Sequence, residues 1–320
     1  MSQQPRIGIA LPPNNGVGTG NLRTAQRWLR FFHEFGYDAR ILGLETPWDG
    51  EILIALNAVK SANIIARYRR DQPTGKLVVV VTGTDLNHTE SAEWKNSLAA
   101  ADRLIALQPL ALKVFSKEEQ AKATIIYQSQ KAPTQLPKRH SNEGFQVCVV
   151  GHLRSEKDPL LTAMASRVLE DESQIQILQA GAILEQQYTQ EVTLERQMNQ
   201  RYQWLGELSK QESLNLIAES DLMVLSSLSE GGPAVIGEAI SVNTPILSTR
   251  IDGVVGLLGE DYPGYFEPGD VLALAQLLKR AEKEPAFYQE LQEAGAALKK
   301  KFDPAQEKES WQSLLNSLMD

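Results

Sequence analysis

Ser226-Ser227-Leu228-Ser229-Glu230-Gly231-Gly232-Pro233-Ala234-Val235-Ile236-Gly237-Glu238-Ala239-Ile240 is the stretch that decides the reading of this chain. An apolar run, Asp221-Leu222-Met223-Val224-Leu225, leads into it and has the length of a short buried strand. Two glycines and a proline then open an apolar-periodic helix, with Pro233 near its first turn. A strand that delivers a Gly-rich turn to a helix N-terminus presents unpaired backbone N–H groups and a positive dipole end to an anion. Glu230 lies just before the helix, and Glu238 sits about two turns in, on nearly the same face. Carboxylates accept hydrogen bonds from hydroxyls, so a phosphate cradle with carboxylates on either side suits a sugar nucleotide.

Outward from this stretch, apolar runs at 6–11, 39–44, 52–56, 76–82, 103–108 and 124–127 alternate with helical patterns near 21–35, 58–70, 91–100 and 109–117. That βαβ rhythm predicts an α/β fold with a parallel sheet covered on both faces. The polar stretch 131–144 contains two prolines, lacks an apolar period and reads as a linker. The rhythm then restarts, with strands expected near 145–150, 174–180, 203–205, 221–225 and 245–248. Two Rossmann-like domains are therefore expected, 1–140 and 145–303, with a ligand cleft between them at the carboxyl ends of their strands. The last segment, 304–320, carries Trp311, Leu314, Leu315 and Leu318 at helical spacing. That stripe must be buried, either by crossing back to the first domain or within the second.

Composition narrows the class. At 320 residues, with 42% hydrophobic and 22% charged residues, the chain has the make-up of a soluble globular protein of two ordinary domains. A net charge of −8, without a Lys/Arg block interleaved with aromatics, argues against nucleic-acid binding. No apolar run approaches the roughly eighteen residues of a membrane span, and Met1-Ser2-Gln3-Gln4-Pro5 has no leader pattern. The single cysteine, Cys148, lies in an apolar run and can form no intrachain disulfide. It reads as a small core residue in a cytoplasmic protein.

Further segments carry candidate chemistry. After the first strand, Gly16-Val17-Gly18-Thr19-Gly20-Asn21 places Asn21 at the third glycine of a dinucleotide fingerprint, so an anion-binding loop made by Gly18, Thr19, Gly20 and Asn21 is the better reading. Thr84 and Asp85 follow a strongly apolar strand, where Asp85 either orients an acceptor or caps the next helix. Arg154 and Lys157 follow the first strand of the second half, a place from which paired cations can neutralise a diphosphate leaving group. The plainer alternative there is a solvated turn with Glu156 paired to Lys157. Glu207 ends a short strand whose backbone could read a nucleobase edge. No D-x-D or His/Cys cluster is present, so neither a metal nor another cofactor is expected.

The spacing Glu230…Glu238, with Gly231-Gly232 between, is similar to the E-x7-E signature of the retaining family-4 glycosyltransferases of the GT-B fold. Gly151-His152-Leu153…Glu156-Lys157 resembles their G-R-L…E-K-G, with His152 at the arginine and Asp158 at the second glycine. Longer runs resemble the selenosugar synthase family of selenoneine biosynthesis: 20–28, 82–86, 101–104, 151–159 and 250–266. Asn57 and Asn87 depart from that family, where histidine and tyrosine are expected.

The resemblance implies transfer of a sugar from UDP-N-acetylglucosamine or UDP-glucose to the selenium of selenophosphate, giving a 1-seleno-sugar. It further implies that Glu238 binds ribose hydroxyls and Glu230 sugar hydroxyls. His152, Glu207, Gly231, Gly232, Ala234 and Val235 complete the donor side, with Arg154 and Lys157 at the departing diphosphate. Gly18, Thr19, Gly20, Asn21, Thr84 and Asp85 face the acceptor. UDP-sugar and selenophosphate are then the partners, with a functional link to the other selenoneine enzymes and no metal. The residues alone leave open a glycosyltransferase with a hydroxyl acceptor, a non-catalytic sugar-nucleotide binder and a Rossmann oxidoreductase.

Overall fold

The computed structural model describes residues 4–13, 20–43, 46–131, 133 and 144–319. Residues 1–128 with 304–320 form one compact unit, and 129–303 form a second.

In the first unit six parallel strands are ordered β2-β1-β3-β4-β5-β6. They are β1 (Ile7–Ala10), β2 (Ala39–Leu42), β3 (Ile52–Leu56), β4 (Lys76–Val81), β5 (Arg103–Ala106) and β6 (Ala123–Ile125). Parallel strands need crossover helices, which cover both faces and remove any polar alternation. Every residue of β3 is accordingly buried. Its side chains still alternate: Ile52, Ile54 and Leu56 join one core cluster, Leu53 and Ala55 the other.

The first cluster is completed from both ends of the chain. The helix Gly20–Glu34 contributes Ala25, Trp28, Phe31 and Phe32, and the helix Pro304–Met319 contributes Trp311, Leu314, Leu315 and Leu318. The C-terminal apolar stripe thus packs with the first sheet, where Trp311 meets Trp28 edge-on at 4.7 Å and Phe32 at 5.0 Å. Glu307 seals this junction, its side chain wholly shielded from solvent. Its carboxylate accepts from Arg27 Nε at 2.8 Å, Arg27 Nη2 at 3.1 Å and Trp28 Nε1 at 2.7 Å.

Two helices differ from the sequence expectation. The pattern at 109–117 resolves into a 3-10 turn, Pro109–Val114, and a short helix, Lys117–Ala121. Ser116 starts that helix with a capping box: its Oγ accepts from Glu119 N and Glu119 returns a bond to Ser116 N. The helix expected from 58 begins at Ala62. Asn57, left-handed at φ 70°, first turns the chain out of β3, and its side chain accepts from Lys60 N at 2.8 Å.

The second unit repeats the arrangement, its parallel sheet ordered β12-β11-β10-β7-β8-β9. The strands are β7 (Phe145–Val150), β8 (Ile175–Ala180), β9 (Tyr202–Trp204), β10 (Leu222–Leu225), β11 (Ile246–Thr249) and β12 (Tyr265–Phe266). β12, two residues long, is too short to show a period and was not expected from sequence. Between β10 and β8 lies β7, so the loop leaving β7 has a strand on either side.

Candidate functional site

Because β11, β10 and β7 are parallel neighbours, their carboxyl ends share one edge of the second sheet. The loops they release are tied together by side chains. Ser226 Oγ reaches the carbonyls of Lys157 and Asp158 at 3.0 and 2.9 Å, and Thr249 Oγ1 donates to Ser227 O at 2.6 Å. Leu228 N donates to Glu156 O at 2.8 Å.

This knitting brings Lys157 to Glu230. The Lys157 ammonium donates to Glu230 Oε1, which also accepts from Ser227 Oγ at 2.7 Å. The two side chains are 22% and 12% exposed, so the pair is partly withdrawn from water, and losing either partner would leave the other charge poorly compensated. Glu230 leads directly into Gly231, buried, and Gly232, half-buried. The helix Ala234–Ser241 follows, with no side-chain cap bond from Pro233 and no acidic residue in its first turn. Its first amides, on Ala234 and Val235, therefore meet no competing carboxylate of that turn. Glu238, in the second turn of that helix, is 8% exposed.

Arg154 is arranged differently. Its Nε stands 3.7 Å from Glu156 Oε2, beyond hydrogen-bond reach, and both atoms are buried without a hydrogen-bond partner. The sequence alternative that paired Glu156 with Lys157 is thereby overturned. Ser155–Lys157 is a 3-10 turn, which sends successive side chains about 120° apart, so Glu156 turns to Arg154 and Lys157 to Glu230. Asp158 closes the turn in the left-handed region, φ 41° and ψ 59°, and burial pushes its carboxyl up. A glycine would reach that conformation without the Cβ penalty, which gives the second glycine of the family-4 motif a physical reason.

Two glycines escaped the sequence reading of the site. At Gly253, in the first turn of the helix Asp252–Leu258, a Cβ would lie 1.9 Å from the carbonyl oxygen of Glu230. At Gly181, φ 153°, it would lie 2.0 Å from the carbonyl oxygen of Gly151. Each lets one loop approach another's backbone; the sequence signal is a glycine directly after a predicted strand at Gly181 and, at Gly253, a place in the run 250–266. The second approach sets His152: its Nδ1 accepts from Ala182 N at 3.2 Å, so the neutral ring carries its proton on Nε2. Glu207 is exposed beyond β9, next to Gly206 at φ 77°.

The residues expected on the acceptor side belong to the first unit. Asp85 is 1% exposed and its carboxylate bridges two loops. Oδ1 accepts from Gly83 N at 2.7 Å and Thr82 N at 3.1 Å, and Oδ2 from Ala58 N at 3.0 Å. Burial pushes this carboxyl up while the amides pull it back. It fastens the loop after β4 to the turn after β3. Thr84 opens the 3-10 turn Thr84–His88, and Gly20 and Asn21 begin the helix Gly20–Glu34. Gly18 and Thr19 lie outside the described residues.

Among the described residues no three His, Cys, Asp or Glu side chains gather as a metal cluster, and no helix is long and apolar enough to cross a membrane. The Cys148 thiol is buried and pushed up to about 12, which leaves it unreactive.

Residues 133–298 match the family model described as glycosyl transferases group 1. A curated relative, the Bacillus subtilis protein assigned to teichuronic acid biosynthesis as glycosyltransferase TuaC, is 31% identical over 86 residues, which is 27% of this chain and 22% of that protein. The chain thus matches about a fifth of that relative's length. The sucrose-phosphate synthase structure from Thermosynechococcus elongatus superposes with a TM-score of 0.81 at 16% identity, covering 99% of both chains. Anabaena Alr3699/HepE in complex with UDP-glucose superposes with a TM-score of 0.77 at 14% identity, covering 98% of this chain and 100% of that one. Two six-stranded parallel sheets with their helices are thus the GT-B architecture that the resemblance implied.

Proposed function

The chain belongs to the glycosyl transferases group 1 family, and from that premise we propose that it moves a sugar from UDP-N-acetylglucosamine or UDP-glucose to the selenium of selenophosphate. The observation that carries the donor half is the Lys157–Glu230 pair at the foot of the Gly231-Gly232 turn and the uncapped helix Ala234–Ser241. A diphosphate placed at those amides draws on a helix dipole and an ammonium that already stand where negative charge develops. Arg154, whose buried Nε has no hydrogen-bond partner, adds a second cation to the same loop. The Anabaena neighbour's complex with UDP-glucose supports the donor class. The acceptor half rests on the resemblance of the runs 20–28, 82–86, 101–104, 151–159 and 250–266 to the selenosugar synthases.

In this reading the selenium lone pair attacks the anomeric carbon as the bond to the UDP β-phosphate oxygen breaks, and UDP leaves with that electron pair. Water then cleaves the Se–P bond, releasing phosphate and the 1-seleno-sugar. Selenium is a strong nucleophile, so leaving-group stabilisation and positioning supply the catalysis, without a general base or a metal. Glu230 grips sugar hydroxyls and Glu238 the ribose. His152, Glu207, Gly231, Gly232, Ala234 and Val235 shape the donor side, and Gly18–Asn21, Thr84 and Asp85 frame the acceptor loops of the first unit. Incubating the chain with each UDP-sugar and selenophosphate, then weighing the products, tests the proposal. A seleno-sugar is expected. UDP release with alcohols but not with selenophosphate would replace the acceptor, and UDP binding without any turnover would replace the enzyme with a binding protein.

A further inference from the structure

β8 carries an anomaly. Ile175 and Ile177 fill the core from one face of the strand, and the next side chain on that face is Gln179, 1% exposed. A carboxamide among hydrocarbon is unfavourable unless both of its ends are hydrogen-bonded. Both are. Gln179 Oε1 accepts from Tyr202 Oη at 2.6 Å, and Nε2 donates to the carbonyl of Pro159 at 2.8 Å. Burial pushes the Tyr202 phenol up, so it remains a donor across the working pH range. The Pro159 carbonyl can only accept, so it fixes which end of the amide is N–H, and the Tyr202 hydroxyl, free to turn, donates to the oxygen on the other side.

Pro159 ends the loop that presents Lys157. The carbonyls of Lys157 and Asp158 are held by Ser226 from beyond β10, and that of Pro159 is held by Gln179 from β8, on the other side of β7. Within the loop, Lys157 N is bonded to Arg154 O at 2.9 Å and Asp158 N to Ser155 O at 3.1 Å. Three consecutive carbonyls are therefore anchored from both neighbouring strands, around a left-handed residue that would otherwise relax.

We propose that Gln179, held at its oxygen by Tyr202, is a positioning residue that sets the reach of the Lys157 ammonium through the Pro159 carbonyl. This deepens the reading of Lys157 as the cation at the diphosphate and rests on it. An apolar side chain of the same size would fill the space but leave the Pro159 carbonyl unpaired, freeing the loop rather than emptying the core.

The test is calorimetric titration of the full chain with UDP, arranged as a double-mutant cycle. Gln179→Leu is expected to raise the UDP Kd about tenfold in the native background and to leave it unchanged within about twofold when Lys157 is already alanine. Additive losses in the two backgrounds would overturn the proposal, since a merely structural defect does not depend on Lys157. If Lys157→Ala alone leaves UDP binding intact, the donor-site reading fails instead, so the two failures are distinct. Should Gln179→Leu not fold, Gln179→Glu serves. It keeps the acceptor for Tyr202 and can donate to Pro159 only when protonated, so its UDP affinity should recover toward the native value as pH falls. A pH dependence identical to the native chain's would overturn the assignment.

Discussion

Lys157 and Glu230, 73 positions apart in sequence, hold each other by a direct ammonium–carboxylate hydrogen bond at the edge of the second sheet. Each therefore occupies the group that the proposed donor would claim. In the proposed reading the diphosphate would compete for the ammonium and a sugar hydroxyl for the carboxylate, whose Oε1 also accepts from Ser227 Oγ.

Lys157→Ala should lower turnover by about a hundredfold, the scale of losing one preorganised charge at a leaving group. Glu230→Gln keeps the shape and the Ser227 contact, so its loss should appear chiefly in the sugar-bearing donor and not in the affinity for UDP itself. Steady-state kinetics beside UDP titration separates the two. Equal losses for UDP and UDP-sugar in Glu230→Gln would move Glu230 away from the sugar.

Gly253→Ala places a methyl group on the Glu230 carbonyl and must displace one backbone or the other. Overpacking of this kind costs about 1–3 kcal/mol, so the melting temperature should fall by several degrees. Activity should fall further than stability accounts for, because the segment that moves carries Glu230. Full activity in the remaining folded protein would show that the approach is structural only.

Asp158→Gly removes a left-handed side chain and should stabilise the protein by about 0.5–1 kcal/mol at neutral pH. The pH dependence has a definite sign. Burial raises the Asp158 carboxyl above its ordinary 3.8, so the folded state binds that proton more tightly than the unfolded state does. The native chain's stability from this group is complete below that value and is lost as pH climbs through the raised one. The advantage of the glycine variant should therefore widen as pH climbs from below the ordinary 3.8 through the raised value. Denaturant unfolding across that range reads it, and a constant difference would contradict it.

Glu307→Ala leaves the Arg27 guanidinium and the Trp28 indole N–H facing a void inside the first unit. Breaking one side of a buried ion pair costs about 3–5 kcal/mol, most of it in the charge left behind. Glu307→Gln, which still accepts a hydrogen bond, should cost less. A loss below about 1 kcal/mol for the alanine variant would mean that water replaces the carboxylate.

Most strands were legible because a parallel sheet buried on both faces writes itself as short apolar runs separated by amphipathic ones. The Glu230-to-Glu238 segment was legible for a related reason: a strand, two glycines and a helix start are all local signals. What the sequence hid is what depends on neighbours. β12 forms because Tyr265 and Phe266 lie beside Ser248 and Thr249, with no period of their own. The exchange of partners among Arg154, Glu156 and Lys157 follows from one 3-10 turn, which composition cannot announce. Gly253 and Gln179 acquire their meaning from backbones twenty or more positions away at Glu230 and at Pro159. Gln179 in particular stands where an apolar residue would satisfy the strand pattern.

The junction of Trp311 with Trp28 has a bearing on how the protein is made. A ribosome emits residues 1–128 first, yet their sheet lacks one of its covering helices until residues 304–319 emerge. The later-encoded unit, 129–303, is contiguous and can reach its native state while the earlier one waits as an open-faced sheet. Nascent chains arrested before residue 304 should therefore yield one protease-resistant fragment, spanning the second sheet, with the first still digestible. Two resistant fragments from such chains would mean that the first sheet closes without its terminal helix.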